Sequence, residues 1–124
     1  MTEKIYYYND LFELLFEDVP ANAKLPELPT IEKTFKDGGY YRYNFSSNFA
    51  MLSLNSIYFN IDNINDLETA TIQLDWFREQ LSADDTTQFI VGMHIFPGLF
   101  YYDHLEPLWY DDYLQAYLNL TNTY

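Results

Sequence analysis

Gln88-Phe89-Ile90-Val91-Gly92-Met93-His94-Ile95-Phe96-Pro97-Gly98 is the stretch on which the fold turns. Its first half is β-branched and aromatic, and it reads as a strand over Gln88 to Met93. Pro97 and Gly98 force the chain to turn behind it. His94 therefore falls just past the end of a strand. An imidazole there is well placed to hold a metal, because the strand is rigid and the loop beyond it opens toward a cleft. The plainer reading is a polar loop side chain.

Working outward toward the N-terminus, a helix is expected over Asp66 to Leu81. Asn65 stands in the capping position and Glu68 can reach back to it, as in a capping box. Its apolar stripe is Leu67, Ala70, Leu74, Phe77 and Leu81, a 3.6-residue period. Before it, Phe49 to Phe59 reads as a strand whose near-continuous apolar interior suits cover on both faces. Tyr40 to Phe45 has strand-like composition after the turn signal Asp37-Gly38-Gly39. A first helix is expected over residues 5–17, with Tyr8, Leu11, Phe12 and Leu15 on one face. Pro20, Pro26 and Pro29 predict an extended loop behind it. A last helix is expected from Leu108 to Leu120, with Pro107 at its start. Strand, crossover helix, strand, helix is an α/β arrangement whose crossover should be right-handed.

The chain has 124 residues, enough for one domain. At 48% hydrophobic, with 13 Tyr and 10 Phe, it is too apolar to be disordered despite a net charge of -13. That charge repels phosphate backbones and anionic bilayers, so neither nucleic acid nor membrane adhesion is expected. No run is apolar enough for a membrane span, and Met1-Thr2-Glu3-Lys4 lacks the pattern of a signal peptide. The absence of Cys rules out disulfides and thiolate metal sites. Asn44-Phe45-Ser46 and Asn119-Leu120-Thr121 are glycosylation sequons, which makes Asn44 and Asn119 candidate acceptors.

In order, these segments resemble the C-terminal part of the catalytic domain of acid sphingomyelinase-like phosphodiesterases, within the calcineurin-like metallophosphoesterases. Phe35-Lys36-Asp37-Gly38-Gly39-Tyr40-Tyr41 is similar to the family's F-x-x-GGYY segment, and Leu52-Ser53-Leu54-Asn55-Ser56-Ile57-Tyr58 to its LNT-x-x-Y strand. Gln73-Leu74-Asp75-Trp76-Phe77-Arg78-Glu79-Gln80-Leu81 is similar to its QL-x-WL-x-x-x-L helix. Gly92-Met93-His94-Ile95-Phe96-Pro97-Gly98 resembles its GHIPPG loop, and Trp109-Tyr110-Asp111-Asp112-Tyr113 its following aromatic segment. The resemblance spans roughly residues 5 to 124. It implies part of a two-sheet sandwich flanked by helices, a two-zinc centre acting on a phosphate ester, a secreted or lysosomal setting, and His94 as a metal ligand.

The departures are as informative. Of the family's metal motifs (D-x-H, G-D-x-x-D, G-N-H, the GHIPPG histidine and G-H-x-H) only the histidine is present. Met93 is inserted before it and Phe96 replaces a proline. A two-metal centre needs about six to eight ligands, which one imidazole does not supply. His104 matches no family ligand and reads as a loop residue. Asp103 and Glu106 are loop neighbours that do not close a site. Asn55 reads as a hydrogen-bonding residue and Tyr40-Tyr41 as core aromatics, with cleft lining as the alternative. Asp84-Asp85 and Asp111-Asp112 read as solvated surface and helix-start charges.

Residues 1–124 are thus expected to form a single partial domain of a hydrolase, inactive alone and prone to self-association. The other readings are a catalytically dead interaction module and an unrelated small α/β binding domain.

Overall fold

The structure is a computed structural model that describes residues 2–101 and 105–124. It is mixed α/β. Strands β1 (Tyr41–Ser46), β2 (Phe49–Leu54) and β3 (Gln88–Met93) form one sheet in that order. β1 is antiparallel to β2, while β3 runs parallel to β2. The parallel pair is joined through a 3₁₀ turn (Ser56–Phe59) and helix α1 (Leu67–Ser82), the crossover that parallel strands require. A two-stranded ribbon, β4 (Leu99–Phe100) with β5 (Glu106–Pro107), follows, and helix α2 (Asp111–Thr123) closes the chain. Two N-terminal helices, αA (Thr2–Phe12) and αB (Leu28–Gly38), precede the sheet.

β2 alternates strictly. Ala50, Leu52 and Leu54 are buried, and Phe49, Met51 and Ser53 are half-buried. The cross-strand partners of the buried set, Phe89, Val91 and Met93, pack on the same core. Ala70, Leu74 and Phe77 of α1 lie against it. Tyr117 of α2 stacks on Phe77, with ring centroids 5.7 Å apart, and Trp109 meets Tyr117 edge-on. The second sheet face carries Tyr41, Tyr43, Met51 and Ile90. Phe16 and Phe35 pack on Tyr41 there, Tyr43 also packs on the core, and Ile90 is 51% exposed. The second face of β2 is thus half-buried rather than fully covered, and β3 lies at a sheet edge.

Other boundaries shift for local reasons. The first helix passes into a π-helical turn at Glu13–Glu17. The wider turn rotates the stripe, so Phe16 stacks on Phe12 at 5.0 Å while Leu15 is exposed. Pro29 does not extend a loop; it sits in the first turn of αB, where its missing N–H costs nothing. A 3₁₀ turn takes Pro20–Lys24. The strand expected to reach Phe59 ends at Leu54. Asp66, not Asn65, caps α1: its carboxylate accepts the Thr69 N–H at 3.0 Å. Leu67 is exposed, and Thr69 and Gln73 are buried instead. Pro107 lies in β5, and the last helix begins at Asp111.

Candidate functional site

The C-terminal end of the β2–β3 pair gathers the segments of interest. In open α/β sheets this is the end at which ligands bind. Leu54 pairs with Met93, so Asn55 and His94 leave adjacent strand ends. Tyr41 pairs with Ser53, which brings Tyr40 to the same end on β1.

Backbone capture makes this end rigid. Gln73 of α1 is fully buried. The Asn55 N–H donates to its Oε1 at 2.7 Å, and its Nε2 donates to the Asn55 carbonyl at 3.1 Å. The side chain thus completes the hydrogen bonding of β2 where the strand stops. Asn55 Nδ2 donates to the Gly38 carbonyl at 2.9 Å and to the Tyr8 hydroxyl at 2.8 Å, the hydrogen-bonding role read from sequence. Tyr8 and Tyr58 share a further hydrogen bond of 2.9 Å. Burial, then its bond to Tyr8, pushes the Tyr58 hydroxyl well above the usual phenol range, so it stays neutral.

Gly39 ends αB in the left-handed region at φ 74°. A side chain there would meet the Tyr8 ring at 2.7 Å and Asn55 Nδ2 at 3.0 Å. The turn signal at Asp37-Gly38-Gly39 therefore marks a close approach as well as a turn.

His94 directly follows β3, is exposed, and has no hydrogen bond or ion pair among the described residues. Its neighbour Ile95 is held on both sides. The Ile95 N–H donates to Ser56 Oγ at 2.7 Å, and Trp109 Nε1 donates to the Ile95 carbonyl at 3.0 Å. Ser56 and Trp109 are almost wholly buried. The loop backbone is fixed while the imidazole points away from the core.

A second cluster lies beside αA. Lys4 Nζ donates to Asp66 Oδ2 at 2.7 Å and to Thr69 Oγ1, and lies 5.0 Å from the Tyr58 ring centroid. Burial raises the Asp66 pKa, but Lys4 and the Thr69 N–H and hydroxyl outweigh it and hold the carboxyl below its ordinary value.

Gln73, Ser56 and Trp109 stand inside the quoted motifs and Asp66 at the expected helix start, but sequence reasoning assigned none of them, nor Lys4, a role at this site. A lone Gln on an apolar helix stripe and a Ser in a hydrophobic run were the available signals. Asn44, in β1, and Asn119, on α2, are both exposed. Asn44 Oδ1 accepts from Arg42 Nε at 2.8 Å. Glu106 lies exposed in β5. His104 and Asp103 fall outside the described residues.

No metal-binding group of three or more His, Cys, Asp or Glu occurs among the described residues. These side chains do not by themselves fit a two-ion centre. No helix among the described residues is long and apolar enough to cross a membrane. Compared with known family models and with curated proteins, the chain matches none.

Proposed function

We propose that this chain is the C-terminal part of a metallophosphoesterase catalytic domain resembling the acid sphingomyelinase-like phosphodiesterases. In this reading His94 is one ligand of a composite two-zinc centre. The observation that supports it is the placement of His94: exposed, without a partner among the described residues, and next to a backbone pinned by Ser56 and Trp109 at the ligand-binding end of a parallel strand pair. The remaining ligands belong to motifs that this chain does not carry, so the chain alone has no phosphodiester hydrolysis. Its parent's substrate is a phosphate ester.

The test is Zn²⁺ titration by calorimetry together with an aryl-phosphodiester assay in Zn²⁺ or Mn²⁺. The chain alone is expected to show no turnover and weak Zn²⁺ binding that His94→Ala abolishes. Two tightly bound equivalents, or hydrolysis by the chain alone, would overturn the one-ligand reading. Zn²⁺ binding unchanged in His94→Ala would remove His94 from the site.

One observation favours a second reading, an inactive interaction module. From Thr86 to Tyr102 the sequence has no Asp, Glu, Lys or Arg, although this stretch contains the edge strand β3, and exposed edges usually carry charge to block pairing. Retention of an independently folded, monomeric chain that binds no Zn²⁺ would favour this module.

A further inference from the structure

A cleft runs between αB and the outer face of α1. One lobe of about 580 Å³ is lined by Lys4, Asp37, Tyr40, Asp66 and Glu68. A second of about 260 Å³ shares Asp37, Tyr40 and Ile72 with it and continues to Asp75, Trp76 and Glu79. Glu68, Ile72, Asp75 and Glu79 follow the i, i+4, i+7, i+11 spacing of a single helical stripe. At 1.5 Å per residue that stripe is about 16 Å long.

Its charge is not balanced internally. Lys4 neutralises Asp66 and Arg78 neutralises Asp75. The carboxylates of Asp37, Glu68 and Glu79 have no ion pair or hydrogen bond among the described residues, and Lys33, at the second lobe, is the remaining cation among the residues lining the cleft.

Tyr40 supplies an independent observation. It is 2% exposed, its ring packs on Trp76 at 4.9 Å, and its side chain lines both lobes. Its hydroxyl has no hydrogen-bond partner among the described residues. No fully enclosed side-chain polar atom among them lacks a partner, so the small surface that Tyr40 keeps includes this oxygen, at the cleft. Burial, then the carboxylates of Asp37 and Glu79, pushes the hydroxyl up to about 12. A neutral phenol oxygen between carboxylates accepts from a cationic N–H donor.

The shape selects among cations. The carboxylates lie along a line and no three of them gather as a metal-binding group among the described residues, so a compact metal ion finds no closed shell. An anion meets like charge. A chain with ammonium groups separated by methylenes fits both features: one end donates to Tyr40 and Asp37 or Glu79, the methylenes cross Ile72, and the other end reaches Glu68. We propose that this cleft binds a linear polyamine. The inference stands apart from the His94 reading, and neither depends on the other.

The test is calorimetric titration of the full chain with spermidine at fixed ionic strength. Tyr40→Phe keeps the ring and removes only an unpartnered hydroxyl. It is expected to weaken binding about tenfold without lowering the thermal midpoint. Glu68→Gln should weaken spermidine more than putrescine, whose shorter chain does not span the stripe, and Lys33→Gln should tighten both. If Tyr40→Phe does not fold, the exposed pair Glu68→Gln and Glu79→Gln decides. Wild-type affinity in these variants, or equal displacement of spermidine by Mg²⁺, would assign binding to the diffuse charge of -13 and overturn the proposal.

Discussion

Ser56 shows how much can rest on one small side chain. Its fully buried hydroxyl takes the Ile95 N–H and so places the loop that carries His94. Ser56→Ala leaves that N–H unpaired and is expected to cost about 1–3 kcal/mol, read by chemical denaturation. Gly39→Ala faces two penalties together, a left-handed backbone and a clash with Tyr8. The backbone alone costs about 1–2 kcal/mol, and denaturation should show a loss at least that large. Asp66 gives a pH signature. Its folded pKa lies below the unfolded value, so its contribution is fully present above the unfolded pKa and is lost as pH falls through the folded one. The unfolding midpoint of the wild type should therefore fall more steeply than that of Asp66→Asn as pH drops below about 4. Parallel curves would show that the Lys4–Asp66 contact is not stabilising.

Among the elements, α1 and β3 were the most legible. The 3.6-residue spacing of Ala70, Leu74 and Phe77 and the β-branched run at Phe89-Ile90-Val91 are strong local patterns, and both elements form where expected. What sequence periodicity missed is set by contacts distant in sequence. Gln73 is buried because β2 ends opposite it, and Leu67, the first residue of the helix, is exposed although its spacing puts it in line with the buried stripe. The π-turn at Glu13–Glu17 changes which residue faces the core in a way no fixed period anticipates. In the candidate site, the strand-end position of His94 was legible from Pro97 and Gly98. The pins holding its loop were not, since Ser56 and Trp109 are 39 and 14 residues away from Ile95. At this scale the cap is testable: Asp66→Ala should cost about 1 kcal/mol through lost capping, with Asp66→Ser recovering most of it.

For the whole molecule, the distribution of apolar surface is the salient property. Tyr43, Phe45 and Phe49 form a ring cluster on the open sheet face, where Phe45 is 53% and Ile90 51% exposed. The adjoining edge of β3 is uncharged. Mutual repulsion from a net charge of -13 opposes association, and salt screens it within about 8–10 Å at physiological ionic strength. Size-exclusion chromatography should show larger species as salt is raised, and a hydrophobic dye should bind strongly; Ile90→Lys should reduce both. A sharp monomer at all salt concentrations, with little dye binding, would favour a self-contained domain.

In the proposed reading, His94 is one ligand of a composite metal centre whose other ligands lie in motifs that this chain does not carry. Sequencing the transcript that encodes this chain tests it most directly. The account predicts a reading frame continuing on both sides, with D-x-H, G-D-x-x-D and G-N-H upstream and G-H-x-H downstream. A transcript whose reading frame opens at Met1 and stops after Tyr124 would contradict it.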